Sequence, residues 1–210
     1  MYSAAANSRK RPRSAAILLC LIVFATITII STACSSVAPV VKVALVASFE
    51  GRHRAVGYDV LYSARLAVRE LNAAGGINGT RVSLVTLDDG GSPEFAAATA
   101  DSLIVDPAVV AVVGHWLPET TSAAGPRYDD QGLAFIAGGE APFQNTDPAQ
   151  LSPDFVAAYN AVTPFDETPG PYAGPAYDAY QSLWRALELA QDQDGAITRA
   201  AVFKTLSEIQ

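Results

Sequence analysis

The chain has few of the residues that metal centres and disulfides require. Its 210 residues include two cysteines and two histidines. Cys20 lies within an uncharged N-terminal stretch, and Cys34 closely follows that stretch. His53 and His115 are far apart in sequence and show no ligand spacing. We therefore expect no disulfide, no metal site and no cofactor.

The chain also lacks the short motifs that mark nucleotide-binding and hydrolytic sites. It contains no GxGxxG turn after the first predicted strand, no Walker A loop, no GxSxG and no HExxH. A small hydrolase could use Asp88, Asp89 or Glu140, but no nucleophile–base pair accompanies them. More often, one acid of such a pair caps a loop and the other is solvated. We expect no catalytic residues and no enzyme activity.

Positive charge is scarce beyond the N-terminal region. The first 33 residues hold four of the 14 basic residues and none of the 21 acidic ones, so the remainder carries ten basic and 21 acidic side chains. A surface this acidic repels phosphate backbones, and no nucleic-acid partner is expected. It also repels anionic lipid, so a covalent membrane anchor would serve better than electrostatic adhesion.

The N-terminal region has the pattern of an export signal. Four basic residues at positions 9–13 precede the uncharged stretch 15–30, which ends at Ser31-Thr32-Ala33-Cys34. A basic head, a short apolar core and small residues before a cleavage point are typical of secreted proteins. A membrane-spanning helix needs about 20 apolar residues, so this stretch is short for a span, and an uncut signal anchor is the alternative.

A cysteine directly after the small residues resembles the lipobox of bacterial lipoproteins. That resemblance implies cleavage before Cys34 and lipidation of Cys34. We therefore predict a signal peptide over residues 1–33, a tether over 34–40 and an extracytoplasmic protein anchored to the membrane, in the periplasm or at the cell surface. The remaining chain has the length of one ordinary domain.

Beyond the tether, apolar runs alternate with amphipathic segments. Strands are predicted over 41–47, 81–87, 109–113 and 133–136, and helices over 57–74, 92–104 and 119–131. Short connections between them predict an α/β fold for residues 41–141, a three-layer parallel sheet of Rossmann-like or flavodoxin-like type. Later helices are predicted over 154–161, 176–191 and 198–209.

In open parallel sheets, ligands bind in the crevice beyond the carboxyl ends of the strands. Near that edge, the helix predicted to begin at Glu119 offers free N–H groups beside the hydroxyls of Thr120 and Thr121, which suits a carboxylate. Trp116 offers apolar contact area; the alternative is that both threonines only cap the helix and Trp116 packs. The candidate ligand-binding residues are Ser48, Phe49, Trp116, Thr120, Thr121, Gly139 and Glu140.

Several segments resemble the type I periplasmic binding proteins of the leucine/isoleucine/valine-binding group. The most specific is LNAAGGING at residues 71–79, between a predicted helix and strand; the others are Asp88-Asp89 with Ser92-Pro93, residues 112–115, 128–136, 155–159 and 172–178. The resemblance implies the N-lobe fold of that family. It also implies a receptor that captures an amino acid of the branched-chain type, or a related amide, and delivers it to an ABC permease.

The chain departs from this family where a second lobe is normally inserted. A lobe needs on the order of a hundred residues, whereas residues 142–153 alone separate the first lobe from the later helices. We expect 142–153 to be a linker in place of that lobe and 154–210 to pack back on the first lobe. The alternatives are a receptor completed by another subunit, a single-lobe interaction module, or a degenerate paralogue without a ligand.

Overall fold

The computed structural model describes residues 38–209. Its strands are β1 (Val40–Ala47), β2 (Arg81–Asp88), β3 (Val109–Gly114) and β4 (Ala134–Ala137). Its helices are α1 (Arg54–Ala73), α2 (Pro93–Ile104), α3 (Pro118–Asp130), α4 (Pro153–Asn160), α5 (Ala173–Asp194) and α6 (Arg199–Ile209). Strands and helices alternate up to β4, and the last three helices follow one another.

The four strands form one parallel sheet in the order β2-β1-β3-β4. In the register of the sheet, Ala44 of β1 is aligned with Val85 of β2 and with Val112 of β3. Because β1 is paired on both sides and covered on both faces, its second half is fully buried and uniformly apolar. The predicted α/β fold with a parallel sheet is confirmed.

Helices cover both faces of the sheet. On one face, α1, α5 and α6 pack against alternate strand residues such as Val43, Leu45 and Val113. On the other face, α2 and α3 pack against Ala44 and Val112, which point the opposite way. The result is a three-layer arrangement in which every strand side chain near the centre contributes to one of two apolar cores.

The LNAAGGING segment forms the sharp turn from α1 into β2. The side-chain amide of Asn72 donates to the carbonyl of Val82 at 2.8 Å, and the Val82 N–H donates back to Asn72 Oδ1 at 3.0 Å. Gly76 has a φ of 71°, a conformation that glycine adopts without strain, and its N–H donates to the Leu71 carbonyl. The turn therefore fixes the start of β2 against the end of α1.

Helix α1 approaches the end of β1 so closely at Gly57 that there is no room for a side chain at this position. A Cβ atom at Gly57 would lie 2.0 Å from the Ser48 carbonyl oxygen. Glycine at this point brings the first turns of α1 directly over the loop that follows β1. This close approach positions the amino end of α1 at the carboxyl edge of the sheet, where the candidate site lies.

A single arginine links the last helix to the opposite edge of the sheet. Arg199, at the start of α6, donates to the backbone carbonyls of Ile104, Asp106 and Val109 at distances from 2.7 to 3.2 Å. These carbonyls belong to the end of α2, the loop that follows it and the beginning of β3. One guanidinium thus satisfies three backbone groups at once.

The strand β4 pairs with β3 on one side, and its other side faces a groove. The groove has a volume of about 630 Å³ and is bounded by β4, Pro142, Phe143 and the facing sides of α5 and α6. Between β4 and α4 the chain forms turns and the short 3-10 helix Pro148–Gln150. The assignment of this segment as a linker replacing a lobe stays a prediction.

The predicted export signal and the proposed lipid site at Cys34 fall outside residues 38–209. Within that range, the helices are all too short or too polar to cross a membrane.

Candidate functional site

Polar side chains from three strand ends meet in the interior at the carboxyl edge of the sheet. Ser48 follows β1, Asp89 follows β2 and His115 follows β3, and all three are buried. Asp89 Oδ1 accepts hydrogen bonds from Ser48 Oγ at 2.8 Å and from the Gly91 N–H at 2.9 Å. Asp89 Oδ2 lies 3.1 Å from His115 Nδ1, and His115 Nε2 lies 3.0 Å from the Tyr128 hydroxyl. We call Ser48, Asp89, His115 and Tyr128 the Asp89 network.

The Asp89 network holds a charge without forming a catalytic arrangement. Burial of Asp89 opposes its charged form, but hydrogen bonds from His115, Gly91 and Ser48 outweigh that effect and hold the pKa of Asp89 below its usual value. Ser48 donates to the carboxylate and not to the imidazole, so no serine–histidine pair is present here to activate a nucleophile. The network instead ties three strand ends together.

The paired acids divide their roles unequally. Asp88 accepts hydrogen bonds from the backbone N–H groups of Phe49 and Gly90 and caps these loops, as one member of such a pair was expected to do. The expectation that the other acid is solvated was wrong for Asp89. The reason is that the carboxyl ends of β1 and β3 supply enough donors to bury its charge.

The candidate residues at the start of α3 are turned towards their own backbone. Thr120 Oγ1 donates to the Leu117 carbonyl at 3.0 Å, and Thr121 Oγ1 donates to the His115 carbonyl. The N–H groups of both threonines also donate to Leu117. Because both hydroxyls are donors, neither threonine caps the helix; the N-cap position is Leu117, and no side chain of residues 38–209 accepts from the first N–H groups of α3. The role of the two threonines in ligand binding stays a prediction.

Trp116 packs inside the edge of the sheet. Its side chain is buried and lies beneath Gly138, where a Cβ atom would come within 2.4 Å of the indole ring. The ring of Tyr172 stands edge-on to it, with 5.9 Å between ring centres. The indole N–H is buried and has no hydrogen-bond partner within residues 38–209. Trp116 thus packs against the loop after β4 and the residue that precedes α5.

The remaining candidates flank Trp116 and α1. Phe49 is half-buried and packs edge-on to Tyr58, with 6.0 Å between ring centres. Gly139 lies against the Trp116 backbone, and its N–H donates to the Phe143 carbonyl at 3.2 Å. Glu140 is exposed. The structure therefore brings Trp116 and Gly139 into contact, while Glu140 stays on the surface.

A second buried aspartate, which the sequence analysis missed, lies on α1. Asp59 Oδ1 accepts hydrogen bonds from the Gly170 N–H at 2.7 Å and the Tyr159 hydroxyl at 3.2 Å. Asp59 Oδ2 accepts from the Tyr172 N–H at 2.7 Å. Burial is the largest influence on Asp59 and raises its pKa, against the lowering effect of these hydrogen bonds. Asp59 thereby fastens the loop before α5 to α1.

A cavity of about 350 Å³ opens beside Asp59. We call it the tyrosine pocket, and its principal lining residues are Tyr58, Tyr62, Tyr159, Tyr172, Asp59 and Glu167. No group of three or more potential metal ligands occurs anywhere in residues 38–209. The polar chemistry of this cavity is that of carboxylates and phenols.

Comparisons with known proteins identify relatives of this chain. A family model described as "Periplasmic binding protein" matches residues 40–153. An amino acid binding protein of Pseudomonas aeruginosa is 37% identical over 89 residues, which are 42% of this chain and 24% of that protein. The Leu/Ile/Val-binding protein of Escherichia coli K12 is 31% identical over 137 residues, which are 63% of this chain and 34% of that protein. The chain spans a quarter to a third of these relatives.

Solved structures with the same fold are also binding proteins. The branched-chain amino acid transporter substrate binding protein of Streptococcus pneumoniae, in complex with isoleucine, aligns with a TM-score of 0.66 and 14% identity, over 80% of this chain and 88% of that chain. A leucine binding protein of Thermotoga maritima aligns with a TM-score of 0.61 and 13% identity, over 79% of this chain and 87% of that chain. The fold is that of a type I periplasmic binding protein lobe, and the chain belongs to the periplasmic binding protein family, a family of binding proteins and not of enzymes.

Proposed function

We propose that this chain is part of an extracytoplasmic solute receptor that binds an amino acid of the branched-chain type, or a related amide, for an ABC permease. The observation that carries the proposal is the family match over residues 40–153, because the relatives are named for binding amino acids. The parallel sheet supports it, since loops that follow parallel strands converge at one edge.

In this proposal the ligand lies at the carboxyl edge of the sheet, beside Trp116 and the loop after β4. Exposed Glu140 offers a carboxylate to a ligand ammonium group. The Asp89 network fixes the position of Ser48, and Asp88 fixes that of Phe49 by accepting a hydrogen bond from its N–H. Thr120 and Thr121 would act through the start of α3, where their hydroxyls already bind carbonyls.

The proposal includes an anchored location. A basic head, an apolar core and Cys34 after three small residues support export, cleavage and lipidation. Replacing Cys34 with serine should move the protein from the membrane fraction to the soluble extracytoplasmic fraction. Mass spectrometry of the membrane-bound form should show a lipid on Cys34. An unmodified Cys34 with an intact leader would instead support the uncut signal anchor.

A single-lobe interaction module without a ligand is the second candidate. The burial of Trp116 and the engagement of both threonine hydroxyls favour it, because little of the predicted contact surface is free. A single lobe leaves a ligand open to water on one side, which weakens binding.

Thermal unfolding with a panel of amino acids and amides separates the two candidates. A ligand that binds only the native state raises the unfolding midpoint, and at a concentration of one hundred times Kd it adds about 2.7 kcal/mol. The receptor proposal predicts a shift with leucine, isoleucine or valine that decreases in Glu140→Gln and is unchanged in Glu188→Gln, an exposed acid on α5. The absence of any shift across the panel would support the interaction module.

A further inference from the structure

The tyrosine pocket beside α1 has no role in the proposed receptor function. Its walls are four tyrosines, Tyr58, Tyr62, Tyr159 and Tyr172, together with Val56 and two carboxylate residues, Asp59 and Glu167. Among residues 38–209, no basic side chain lines it. At about 350 Å³, it has the size of a site for a small ligand.

The rings around this pocket are arranged as a continuous aromatic cluster. Tyr58 and Tyr62 have ring centres 6.2 Å apart, and Tyr159 stands edge-on to Tyr62 at 5.9 Å. The face of an aromatic ring carries negative potential and attracts cations. Two of these rings already contact cations of the chain, since Arg54 lies 5.5 Å from the Tyr58 ring centre and Arg65 lies 5.7 Å from that of Tyr62.

Both of these arginines are exposed, so water and salt screen their charge. Neither arginine is among the residues that line the cavity. They therefore compete only weakly with a cation inside the pocket, and they show that the ring faces accept positive charge.

The carboxylate of Glu167 supplies the specific charge. Its Oε2 atom is buried and has no hydrogen-bond partner within residues 38–209. Burying a carboxylate oxygen without a partner costs free energy, and a cation that contacts this oxygen would offset that cost. Asp59 differs, because hydrogen bonds from Gly170, Tyr159 and Tyr172 already occupy both of its oxygens. The unpartnered carboxylate oxygen in this pocket therefore belongs to Glu167.

We propose that the tyrosine pocket binds a small organic cation of the alkylammonium class, with Glu167 as its ion-pair partner and the rings of Tyr58 and Tyr62 as its aromatic contacts. The aromatic walls favour a cation with methyl or methylene groups over a bare metal ion, because they supply apolar contact area as well as negative potential. This site adjoins the amino-acid site at the carboxyl edge of the sheet, since Tyr58 packs against Phe49 and Tyr172 against Trp116, but its ligand class and its charged partner, Glu167, are different.

Calorimetric titration with a matched pair of probes tests the charge requirement. Choline carries a quaternary ammonium group, and 3,3-dimethyl-1-butanol has the same shape with carbon in place of the charged nitrogen. We expect choline to bind about tenfold or more tightly than the alcohol, a difference of about 1.4 kcal/mol. Equal binding of the two probes, or binding of neither, would overturn the proposal.

Variants locate the binding site. Glu167→Gln should weaken choline binding about tenfold, Tyr58→Leu should weaken it as well, and Arg54→Ala should change it little, because Arg54 is exposed and its charge is screened. Glu140→Gln is the matched control, since it removes an acid of the amino-acid site and should leave choline binding unchanged. Urea unfolding of each variant verifies that it is folded.

The outcomes distinguish this inference from the proposed receptor function. If choline binding survives both Glu167→Gln and Tyr58→Leu, the pocket is not its site and the inference is wrong. If choline binds through Glu167 while no amino acid shifts the unfolding midpoint, the receptor proposal fails and the cation site stands. If an amino acid shifts the unfolding midpoint but choline does not bind through Glu167, the cation-site inference is wrong and the receptor proposal stands.

Discussion

Two buried aspartates in this molecule receive similar hydrogen bonds and yet have opposite pKa shifts. Asp89 and Asp59 each accept two or more hydrogen bonds from backbone N–H and side-chain groups. The pKa of Asp89 is lowered and that of Asp59 is raised. For Asp59, burial outweighs the hydrogen bonds from Gly170, Tyr172 and Tyr159. For Asp89, burial is outweighed by the hydrogen bonds from His115, Gly91 and Ser48. The number of hydrogen bonds alone does not decide the charge of a buried carboxyl group.

The two aspartates also link segments that lie at different separations along the chain. The Asp89 network joins the ends of three adjacent strands, β1, β2 and β3, to α3 over separations of 13 to 41 residues. Asp59 joins α1 to a loop more than one hundred residues later. The first network holds the edge where ligands are proposed to bind. The hydrogen bonds of Asp59 hold the loop that leads into α5.

Removing the carboxylate of Asp89 should have the largest effect. In Asp89→Ala, the buried Ser48 hydroxyl, the Gly91 N–H and His115 lose a partner, and we expect the free energy of unfolding to fall by about 3 kcal/mol. Urea denaturation at pH 7 measures the change. Asp88→Ala, at an exposed neighbour, is the control and should cost about 1 kcal/mol or less. Equal losses in the two variants would contradict the assigned roles.

Removing the carboxylate of Asp59 should have a smaller and more local effect. The N–H groups of Gly170 and Tyr172 are only half-buried, so in Asp59→Ala they regain water when the loop opens, and we expect a loss of about 2 kcal/mol. Native-state hydrogen exchange should show faster exchange at Gly170 and Tyr172. Protection in β1 and β3 should decrease only in line with global stability. A loss larger than that of Asp89→Ala would reverse the comparison.

The two aspartates should respond to pH in opposite directions. Asp89 has a lowered folded-state pKa, so its contribution to stability is present above about pH 4 and is lost as the pH falls through the folded-state value. Asp59 has a raised folded-state pKa, so its contribution is fully present below about pH 4 and is lost as the pH rises through the folded-state value. Stability curves of wild type, Asp89→Asn and Asp59→Asn between pH 3 and 7 should show these opposite differences. Parallel curves would refute the assignment.

Single hydroxyl deletions should give the smallest effects and sharpen the comparison further. Tyr128→Phe removes the hydroxyl next to His115, and Tyr159→Phe removes a donor to Asp59, so each should cost about 1 kcal/mol. Tyr180→Phe is the matched control, because the buried Tyr180 hydroxyl has no partner within residues 38–209. It should be neutral or slightly stabilising in thermal unfolding. A loss at Tyr180 equal to the other two would show that the hydrogen bonds are not the cause.

Much of the sheet could be predicted because its signals are local. Continuous apolar runs give β1 and β3, and Ser92-Pro93 marks the start of α2, where Ser92 Oγ accepts from the Phe95 N–H. The Asp89 network also left a signal, since Ser48, Asp89 and His115 each lie within two residues of the end of a predicted strand. What the sequence does not contain is the pairing of those side chains, which depends on the strand order and on how far each strand extends.

The Asp59 contacts could not be predicted from local patterns. Helix α1 is buried on two sides, with Val60 and Ala64 towards the sheet and Tyr62 and Leu66 towards α4 and the start of α5. A periodicity analysis identifies the first side and leaves Asp59 on a face expected to be solvated. Only the late loop, brought back in three dimensions, supplies the donors that bury it.

The packing of Trp116 beneath Gly138 provides a spectroscopic reporter. Both tryptophans of the chain, Trp116 and Trp184, are buried, so each should emit at short wavelength in the native state. In a Trp184→Phe background the emission would come from Trp116 alone. Movement of the loop after β4 would then admit water to the indole and shift its emission maximum to longer wavelength. Displacement of that loop could thus be followed without an attached dye.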